Sequence, residues 1–452
     1  MKKINYFSVV FILLFSFSIQ AQTKKWTLEE CVKYAIDNNI SIKQTELDTK
    51  TVGIDKKAAI GNFIPSLNSN ANHSWNVGLN QDPTTGLLRN QTTQYSSFGA
   101  GVGFDIYKGL QNQNTLRRAN LSIIAAKYQL TKMQEDVALN VANAFLQVLF
   151  NKENLKVQQE QKAINEKQVL RSDELVKAGS VPRGDLLDIK ATVAADNQRV
   201  INAENALLIS KLSLAQLLQL KEFYDFDVTD DTSVKDENNI LAQTPIAVYD
   251  KAKEQRTELK IAKTNLEIAE KNVAIAKGAF QPTLQGFYNI NTRISYADQY
   301  DFQTGTSQPA APFGQQFTDN KGQAFGAQLS IPIFNGFSVK NNVERSKVNL
   351  EKSKIAVEQE ELTLQRNVYT AFTDAKGGLN AYESSLVALD ARQEAYNYAK
   401  ERYAVGMMNS FDFNQAQTLL SNAQSEVLRT KYDYIFKIKI LEFYFGIPII
   451  KN

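Results

Sequence analysis

Few residues in this chain could do chemistry. Its 452 residues include one histidine, His73, and one cysteine, Cys31. A zinc site draws three or four ligands from Cys, His and carboxylates, and this pair does not supply that set. A nucleophile–histidine arrangement could be built only around His73, no phosphate-cradling glycine pattern is present, and no carboxylate pair stands in a pocket-like context. The acids that stand out are Asp185 and Asp412. Each follows a glycine, Gly179 or Gly406, by six residues, and the two copies lie 227 residues apart. Asp188 stands one helical turn past Asp185, where the second copy has Gln415. Two readings are open. A carboxylate in the first turn of a helix is favoured by the helix dipole. Carboxylates converging on a symmetry axis would instead raise one another's pKa and bind cations.

Composition narrows the classes. The chain has 51 Lys+Arg against 48 Asp+Glu, a net charge of +3, which lacks the basic excess of a nucleic-acid binder. A mean hydropathy of −0.33 excludes a polytopic helical membrane protein. The first 21 residues read as a secretory signal: Lys2 and Lys3, an apolar run from Tyr6 to Ile19, and Ala21 before a cut at Gln22. The run is too short for a comfortable transmembrane anchor. Cys31 lies ten residues past the cut, which is not the position of an acylated lipoprotein cysteine.

The elements that must position the acids follow from the breakers. No Gly or Pro falls between Gly109 and Gly179, and only Gly377 and Gly378 interrupt Gly336 to Gly406. Inside these stretches apolar residues recur every seven positions. Leu116, Ile123, Leu130, Val137 and Ala144 form one series; Val141, Val148, Leu155, Val169 and Val176 form another, with Lys162 as its gap. Val343, Leu350, Val357 and Leu364 hand over to Val368, Ala375, Tyr382, Leu389, Tyr396 and Tyr403. Sustained heptads mean coiled-coil packing. A helix over 111–178 would be roughly 100 Å long at 1.5 Å per residue. An ordinary coiled-coil dimer is the plain alternative.

The turn-rich stretches, 65–109 and 282–336, alternate with period two. Leu67, Ala71, Trp75, Val77 and Leu79 oppose Asn68, Asn70, Asn72, Ser74 and Asn76; Phe98, Ala100, Val102, Phe104 and Ile106 oppose Ser97, Gly99, Gly101, Gly103 and Asp105. Leu284, Tyr288, Ile290, Ile294 and Tyr296 make a third apolar face, and Phe325, Ala327, Leu329, Ile331 and Ile333 a fourth. Four strands of about ten residues with one apolar face suit a transmembrane β-barrel, although sandwich strands alternate too. Trp75, Tyr107, Tyr288, Tyr296 and Phe334 suit interfacial aromatic girdles, with core packing as the other reading. His73 reads as a packing or interfacial histidine.

The two halves are copies. Phe63-Ile64-Pro65-Ser66-Leu67 matches Phe280-Gln281-Pro282-Thr283-Leu284 at an offset of 217, and Tyr107-Lys108-Gly109 matches Phe334-Asn335-Gly336 at 227. The ten extra residues fall in the loop from Ala297 to Asn320. The expected organisation is a first helix–β-hairpin–helix repeat over 22–245 and a second over 246–452. An acidic segment at about 221–245, with Asp225, Asp227, Asp230, Asp231, Asp236 and Glu237, separates them. Four strands cannot close a barrel, and an open sheet in lipid leaves unpaired edges. Two chains would give eight strands around a filled interior; three would give twelve and leave a lumen.

These features resemble the TolC family of outer-membrane efflux proteins over essentially the whole mature chain. The resemblance runs from Trp26-Thr27-Leu28-Glu29-Glu30-Cys31-Val32, Ala35 and Asn38-Asn39 to Phe443-Tyr444-Phe445-Gly446. Tyr403-Ala404-Val405-Gly406 with Asp412 carries it most clearly, echoed by Ala178-Gly179 and Asp185. It implies an α+β membrane protein and a homotrimer. A twelve-stranded outer-membrane barrel would continue into a periplasmic α-helical barrel, the exit duct of a tripartite efflux pump or type I secretion system. It implies as partners a periplasmic adaptor (membrane fusion) protein, an inner-membrane pump and outer-membrane lipid, with no cofactor. It places the two helix-to-helix turns at the periplasmic end, so Gly179, Ser180, Val181, Val405, Gly406 and Met407 would meet the adaptor. Asp412, Asp185, Asp188 and Arg183 would line the aperture with Gln415, which stands where the family typically has a second acid. Arg183 could latch a closed tip, but an exposed ion pair is worth only about 0–1 kcal/mol. The alternative is a periplasmic coiled-coil adaptor or scaffold, which would also carry long helical hairpins.

Overall fold

The computed structural model describes residues 25–81, 86–221, 226–229, 240–301 and 303–449. The signal segment and most of the acidic stretch lie outside these residues. After a two-residue strand β1 (Lys25–Trp26), the first half runs α1 (Leu28–Asn38), α2 (Ile40–Gly61), β2 (Ser66–Gln81), β3 (Leu88–Lys108), α3 (Gln111–Lys177) and α4 (Arg183–Leu218). A short strand β4 (Asp227–Val228) pairs in parallel with β1. The second half runs α5 (Pro245–Gln255), α6 (Thr257–Gly278), β5 (Thr283–Ser295), β6 (Gln299–Asp301), β7 (Thr306–Gln308), α7 (Phe313–Asp319), β8 (Gly322–Ser330), α8 (Ser338–Ala404) and α9 (Ser410–Phe445).

Helix for helix, the halves have equal lengths: α1 and α5 have 11 residues, α2 and α6 22, α3 and α8 67, α4 and α9 36. The local devices repeat too. Thr27 and Thr244 are equivalent N-caps, whose side chains accept from Glu30 N–H and Ala247 N–H. Asn39 and Arg256 are equivalent extended C-caps that break each short helix from the next. Left-handed backbone recurs at Gly109 and Gly336, Leu110 and Phe337, Gly179 and Gly406, and Gln219 and Gly446.

Two compact units draw on both halves. One comprises the described residues of Met1–Glu46, Gln129–Leu259 and Gln359–Asn452, the other Leu47–Tyr128 and Lys260–Glu358. In the first, Cys31, Val32 and Ala35 of α1 are buried with Val141, Phe145 and Val148 of α3 and Leu214 and Leu218 of α4. Truncating a fully buried leucine such as Leu214 to alanine costs about 2–5 kcal/mol. Burial pushes the Cys31 thiol up to about 12, so this cysteine is a small core hydrophobe. The heptad residues of α3 and α8 are buried or half-buried along both helices.

The second unit holds a four-stranded antiparallel sheet in the order β2-β3-β5-β8. The hairpins match in register: Ser66 faces Gly103, and Thr283 faces Ser330. The sheet departs from the expected pattern in three ways. β2 and β3 are 16 and 21 residues long, well beyond ten. β8 stops at Ser330, so Ile331 and Ile333 are not in a strand; Pro332 between them has no N–H to give a ladder. A register shift between Asp105 and Tyr107 makes Ile106 an extra residue and puts Tyr107 opposite Leu284. The long second loop is structured by the β6–β7 hairpin and by α7. Gln316 of α7 bonds both the N–H and the C=O of Ser295, occupying the edge of β5 where β8 no longer reaches.

Candidate functional site

The sheet has two chemically different faces. On one, Leu67, Ala71, Trp75 and Val77 lie beside Phe98, Ala100 and Val102, then Tyr288 and Ile290, then Phe325 and Leu329. Leu67, Trp75, Val77, Phe325 and Leu329 are all exposed. On the other face, asparagines alternate with small residues across the strands. One row reads Asn70, Gly99, Asn291, Gly322, and the next Asn68, Gly101, Asn289, Ala324. A Cβ built at Gly99, Gly101 or Gly322 would collide with the Oδ1 of Asn70, Asn289 or Asn291, so each amide lies flat over the neighbouring glycine. No charged side chain stands in these two rows.

Trp75 and Tyr296 lie at the loop end of the sheet. Trp75 packs edge-on against His73 with centroids 4.2 Å apart, and Tyr296 does so at 5.6 Å. The His73 Nδ1 is 2.7 Å from Ser96 Oγ, which is 3.0 Å from the Tyr296 hydroxyl. His73 is thus engaged by two rings and the Ser96 hydroxyl. Tyr107 and Phe334 stand near the helix end, where the Tyr107 hydroxyl donates to Gln281 and Phe334 packs on Phe337 at 5.6 Å. Tyr288 differs: it sits mid-strand between Val102 and Phe325, away from both ends.

The two helix-to-helix turns share one backbone device. Ser180 N–H bonds the Leu175 carbonyl and Gly179 N–H that of Val176; Met407 N–H bonds Arg402 and Gly406 N–H bonds Tyr403. These are paired Schellman closures with glycine at φ 71° and 74°. Beyond them the turns diverge. Pro182 caps α4 without a side-chain bond, whereas Asn409 caps α9 by accepting from Asp412 N–H at 2.8 Å. The Asn409 amide also donates to Asp412 Oδ2 at 3.0 Å, so this acid is engaged in its own cap. Asp185 is half-buried in the first turn of α4, while Asp188, Arg183 and Gln415 are exposed. Among the described residues no ion pair joins Arg183 to an acid. Val405, Met407 and Phe411 leave the second turn with an exposed apolar surface; in the first, Ser180 is exposed and Val181 half-buried. Nearby, Phe413 stacks on Tyr403 with centroids 4.7 Å apart.

A third feature escapes any motif. Arg256, 4% exposed, donates bidentately to Glu258 at 2.9 and 3.1 Å, reaches Glu135 at 3.1 Å, and lies 3.8 Å above the Phe443 ring. Burial raises the Glu135 carboxyl above its usual range despite the Arg256 charge, while hydrogen bonding and charge from Arg256 overcome burial and hold Glu258 below it. The available signal was position: Arg256 is the repeat-equivalent of Asn39, whose amide bonds the Leu217 carbonyl at 3.2 Å. Of the acidic stretch, the described Asp227 is held low because Lys211 and Lys152 outweigh its burial.

Comparison with known proteins matches residues 32–219 and 248–439 to the family model described as outer membrane efflux protein. The TolC outer membrane protein of Vibrio cholerae serotype O1 is 23% identical over 318 residues, 69% of this chain and 68% of that one. That of Escherichia coli K12 is 22% identical over 375 residues, 82% and 72% of the two chains. The fold resembles the Campylobacter jejuni CmeC outer membrane channel, with a TM-score of 0.78 and 18% identity over 93% of this chain and 85% of that one. It also resembles the open state of the Neisseria gonorrhoeae MtrE outer membrane channel, with a TM-score of 0.73 and 16% identity over 93% and 88%. The two solved structures are outer membrane channels, and nothing in the comparisons favours the adaptor alternative. The chain belongs to the outer membrane efflux protein family and is a TolC-like channel of the outer membrane.

Proposed function

We propose that three copies of this chain form a passive exit duct. Their sheets close one twelve-stranded barrel, with the apolar face toward lipid and the amide face toward a water-filled lumen. Their long helices continue it into the periplasm. The observation that carries this reading is the open sheet: β2 and β8 are both edges, and an edge in hydrocarbon costs several kcal/mol for each unpaired group. A second apolar heptad supports it. Val348, Ile355 and Leu362 on α8, and Ile40, Leu47 and Ile54 on α2, are exposed at seven-residue spacing, as seams awaiting another helix.

The two glycine-closed turns are the periplasmic tip in this reading. Gly179, Ser180, Val181, Val405, Gly406 and Met407 meet an adaptor protein, an inner-membrane pump supplies the cargo, and docking opens the aperture formed by Asp185, Asp188, Arg183, Asp412 and Gln415. The division into repeats over 22–245 and 246–452 and the aromatic girdle belong to the same proposal. The duct performs no catalysis and needs no cofactor. What supports this is that the single cysteine and single histidine are both occupied, Cys31 in a core and His73 between two rings and the Ser96 hydroxyl. Membrane fractionation with gel mobility before and after heating tests it. Recovery in the outer membrane as a heat-labile trimer is expected; a soluble periplasmic monomer would refute it.

A further inference from the structure

The internal duplication makes the boundary between the two halves of one chain a template for the boundary between chains. If copies are arranged around one barrel, the second half of each must meet the first half of the next much as the first half meets the second within the chain. The within-chain boundary is on the page, and adding 227 to its first-half residues and subtracting 217 from its second-half residues gives the partner boundary.

Four contacts check this mapping. Within the chain, Gly109 and Gly278 approach so closely that a Cβ on either would collide with the other's carbonyl. Their equivalents are Gly336 and Gly61, again both glycine, and neither has an atom near its Cβ position in the single chain. Arg118 donates to Asn272 at 3.2 Å; the equivalents are Arg345 and Asp55, both exposed and opposite in charge. The Tyr107 hydroxyl donates to Gln281; the equivalents are Phe334 and Ile64, exposed by 77% and 62%. Thr257 donates to Glu135 at 3.2 Å; the equivalents are Ile40 and Leu362, exposed by 55% and 61%. At the last two contacts both members changed together, and at the second Asn272 became Asp55 opposite an arginine that is kept as Arg345. A polar pair became an ion pair or an apolar pair; the bond from Arg256 to Glu135 maps to Asn39 and Leu362, where the Asn39 amide is taken up by the Leu217 carbonyl instead. Unrelated surface drift would not keep the pairs matched.

We propose that β8 of one copy pairs antiparallel with β2 of the next in the register of β3 with β5, and that Phe334–Ile64, Arg345–Asp55 and Leu362–Ile40 are contacts across the same boundary. The partner is a second copy of this chain, so the inference rests on the oligomeric duct proposed above and specifies its interface. Val102 opposite Tyr288 maps to Leu329 opposite Ala71, Gly101 opposite Asn289 to Gln328 opposite Asn72, and Phe98 opposite Thr292 to Phe325 opposite Trp75. At these three positions apolar residues meet apolar ones and amide meets amide, while Ala327 falls opposite His73 and Ile331 opposite Ser69. Tyr107 opposite Leu284 maps to Phe334 opposite Leu67, so pairing carries β8 past Ser330 to Phe334. That accounts for the period-two pattern running on through Ile331 and Ile333, which are 58% and 94% exposed without a partner strand. Pro332 falls at the position equivalent to Asp105, beside the register shift, where a missing N–H is tolerated.

Disulfide trapping tests the register, because directly opposed Cβ atoms stand about 4.5–5.5 Å apart and a one-residue slip moves the side chain to the other face. The full-length protein in outer membranes would carry Gln328→Cys with one of Asn72→Cys, Ala71→Cys or Asn70→Cys; the buried Cys31 serves as the internal control. Oxidation is expected to give inter-chain dimers and trimers with Asn72→Cys and little product with Ala71→Cys. Stronger product from a slipped pair in a protein that still forms heat-labile trimers would overturn the register and leave the duct standing. No inter-chain product from any pair in a protein that runs as a monomer would remove the duct reading itself. A charge-reversal cycle gives a second readout. Asp55→Arg is expected to lower the temperature at which the trimer dissociates, and adding Arg345→Asp to restore it. Dissociation temperatures that do not respond to either would remove the Arg345–Asp55 contact.

Discussion

The two halves share a backbone and differ in chemistry. Helix lengths, capping positions, left-handed residues and hairpin register repeat from one half to the other. The side chains repeat at some of those positions, such as Thr27 and Thr244, and differ at others. Asn39 and Arg256 terminate equivalent helices with the same extended backbone, yet one satisfies a carbonyl and the other nucleates a buried ion cluster. Gln219 and Gly446 close equivalent helices, one holding a strained left-handed backbone that the other adopts freely. The turns before α4 and α9 are closed alike and carry different acids and caps. Duplicated geometry therefore needs the device to be kept, while the side chain on it can be changed as long as its neighbours change with it.

The sharpest way to break this comparison is at the two C-caps. Arg256→Met leaves Glu135 and Glu258 without their cation and is expected to cost about 3–5 kcal/mol. Asn39→Ala removes a cap amide and is expected to cost about 1–3 kcal/mol. Thermal unfolding of the two variants in detergent would show the inequality; equal losses would mean that the ion cluster adds nothing to the cap it stands on.

The next effect is at the helix ends. Gly446→Ala forces an L-residue into left-handed backbone at φ 92° and against the Gln255 side chain, and is expected to cost about 1–2 kcal/mol or more. Gln219→Gly relieves the same conformation and is expected to stabilise by a smaller amount of about 1 kcal/mol. The sign difference is the prediction, and denaturant unfolding reads it.

The acids of the cluster give opposite pH responses. Glu258 has its pKa lowered by folding, so its contribution is present above the ordinary glutamate range and is lost as pH falls through its folded pKa. Glu135 has its pKa raised, so its charge costs stability at neutral pH and that cost lifts as pH falls through its folded pKa. Melting temperatures at pH 7 and pH 4 should therefore fall less on acidification in Glu258→Gln than in the parent protein, and more in Glu135→Gln. The same change in both variants would contradict the assignment.

The smallest expected effect is at the turns. Asp412→Ala loses one exposed cap contact and should barely change stability, but it should raise single-channel conductance or weaken blockade by multivalent cations in bilayers. Asp185→Ala leaves Asp188 on the same helix and should do less. Unchanged conductance and blockade in both would reduce these acids to helix-dipole residues.

Much of this architecture was legible because it is periodic. Heptads from Leu116 and from Val343 set the long helices, period-two alternation set the sheet faces, and glycines 227 residues apart set the turns. The ends of strands were less legible. Pro332 stops β8 in the single chain although the alternation runs on to Ile333. The extra residue at Ile106 shifts Tyr107 to another face, and a bulge leaves no local signature in composition. The Arg256 cluster could not be read because Arg256 meets Glu135 from 121 residues away, and its only sequence clue is equivalence to Asn39. Asp412 was legible as a first-turn acid, whereas its bond from Asn409 required the cap geometry.

The central claim is that one barrel is shared among chains, and the mass of the particle tests it most directly. Native mass spectrometry of the protein extracted gently from outer membranes should give three chains in a single species, collapsing to one chain after heating. A species of one chain that retains channel activity in bilayers would contradict the account, since four strands would then have to form the conduit alone.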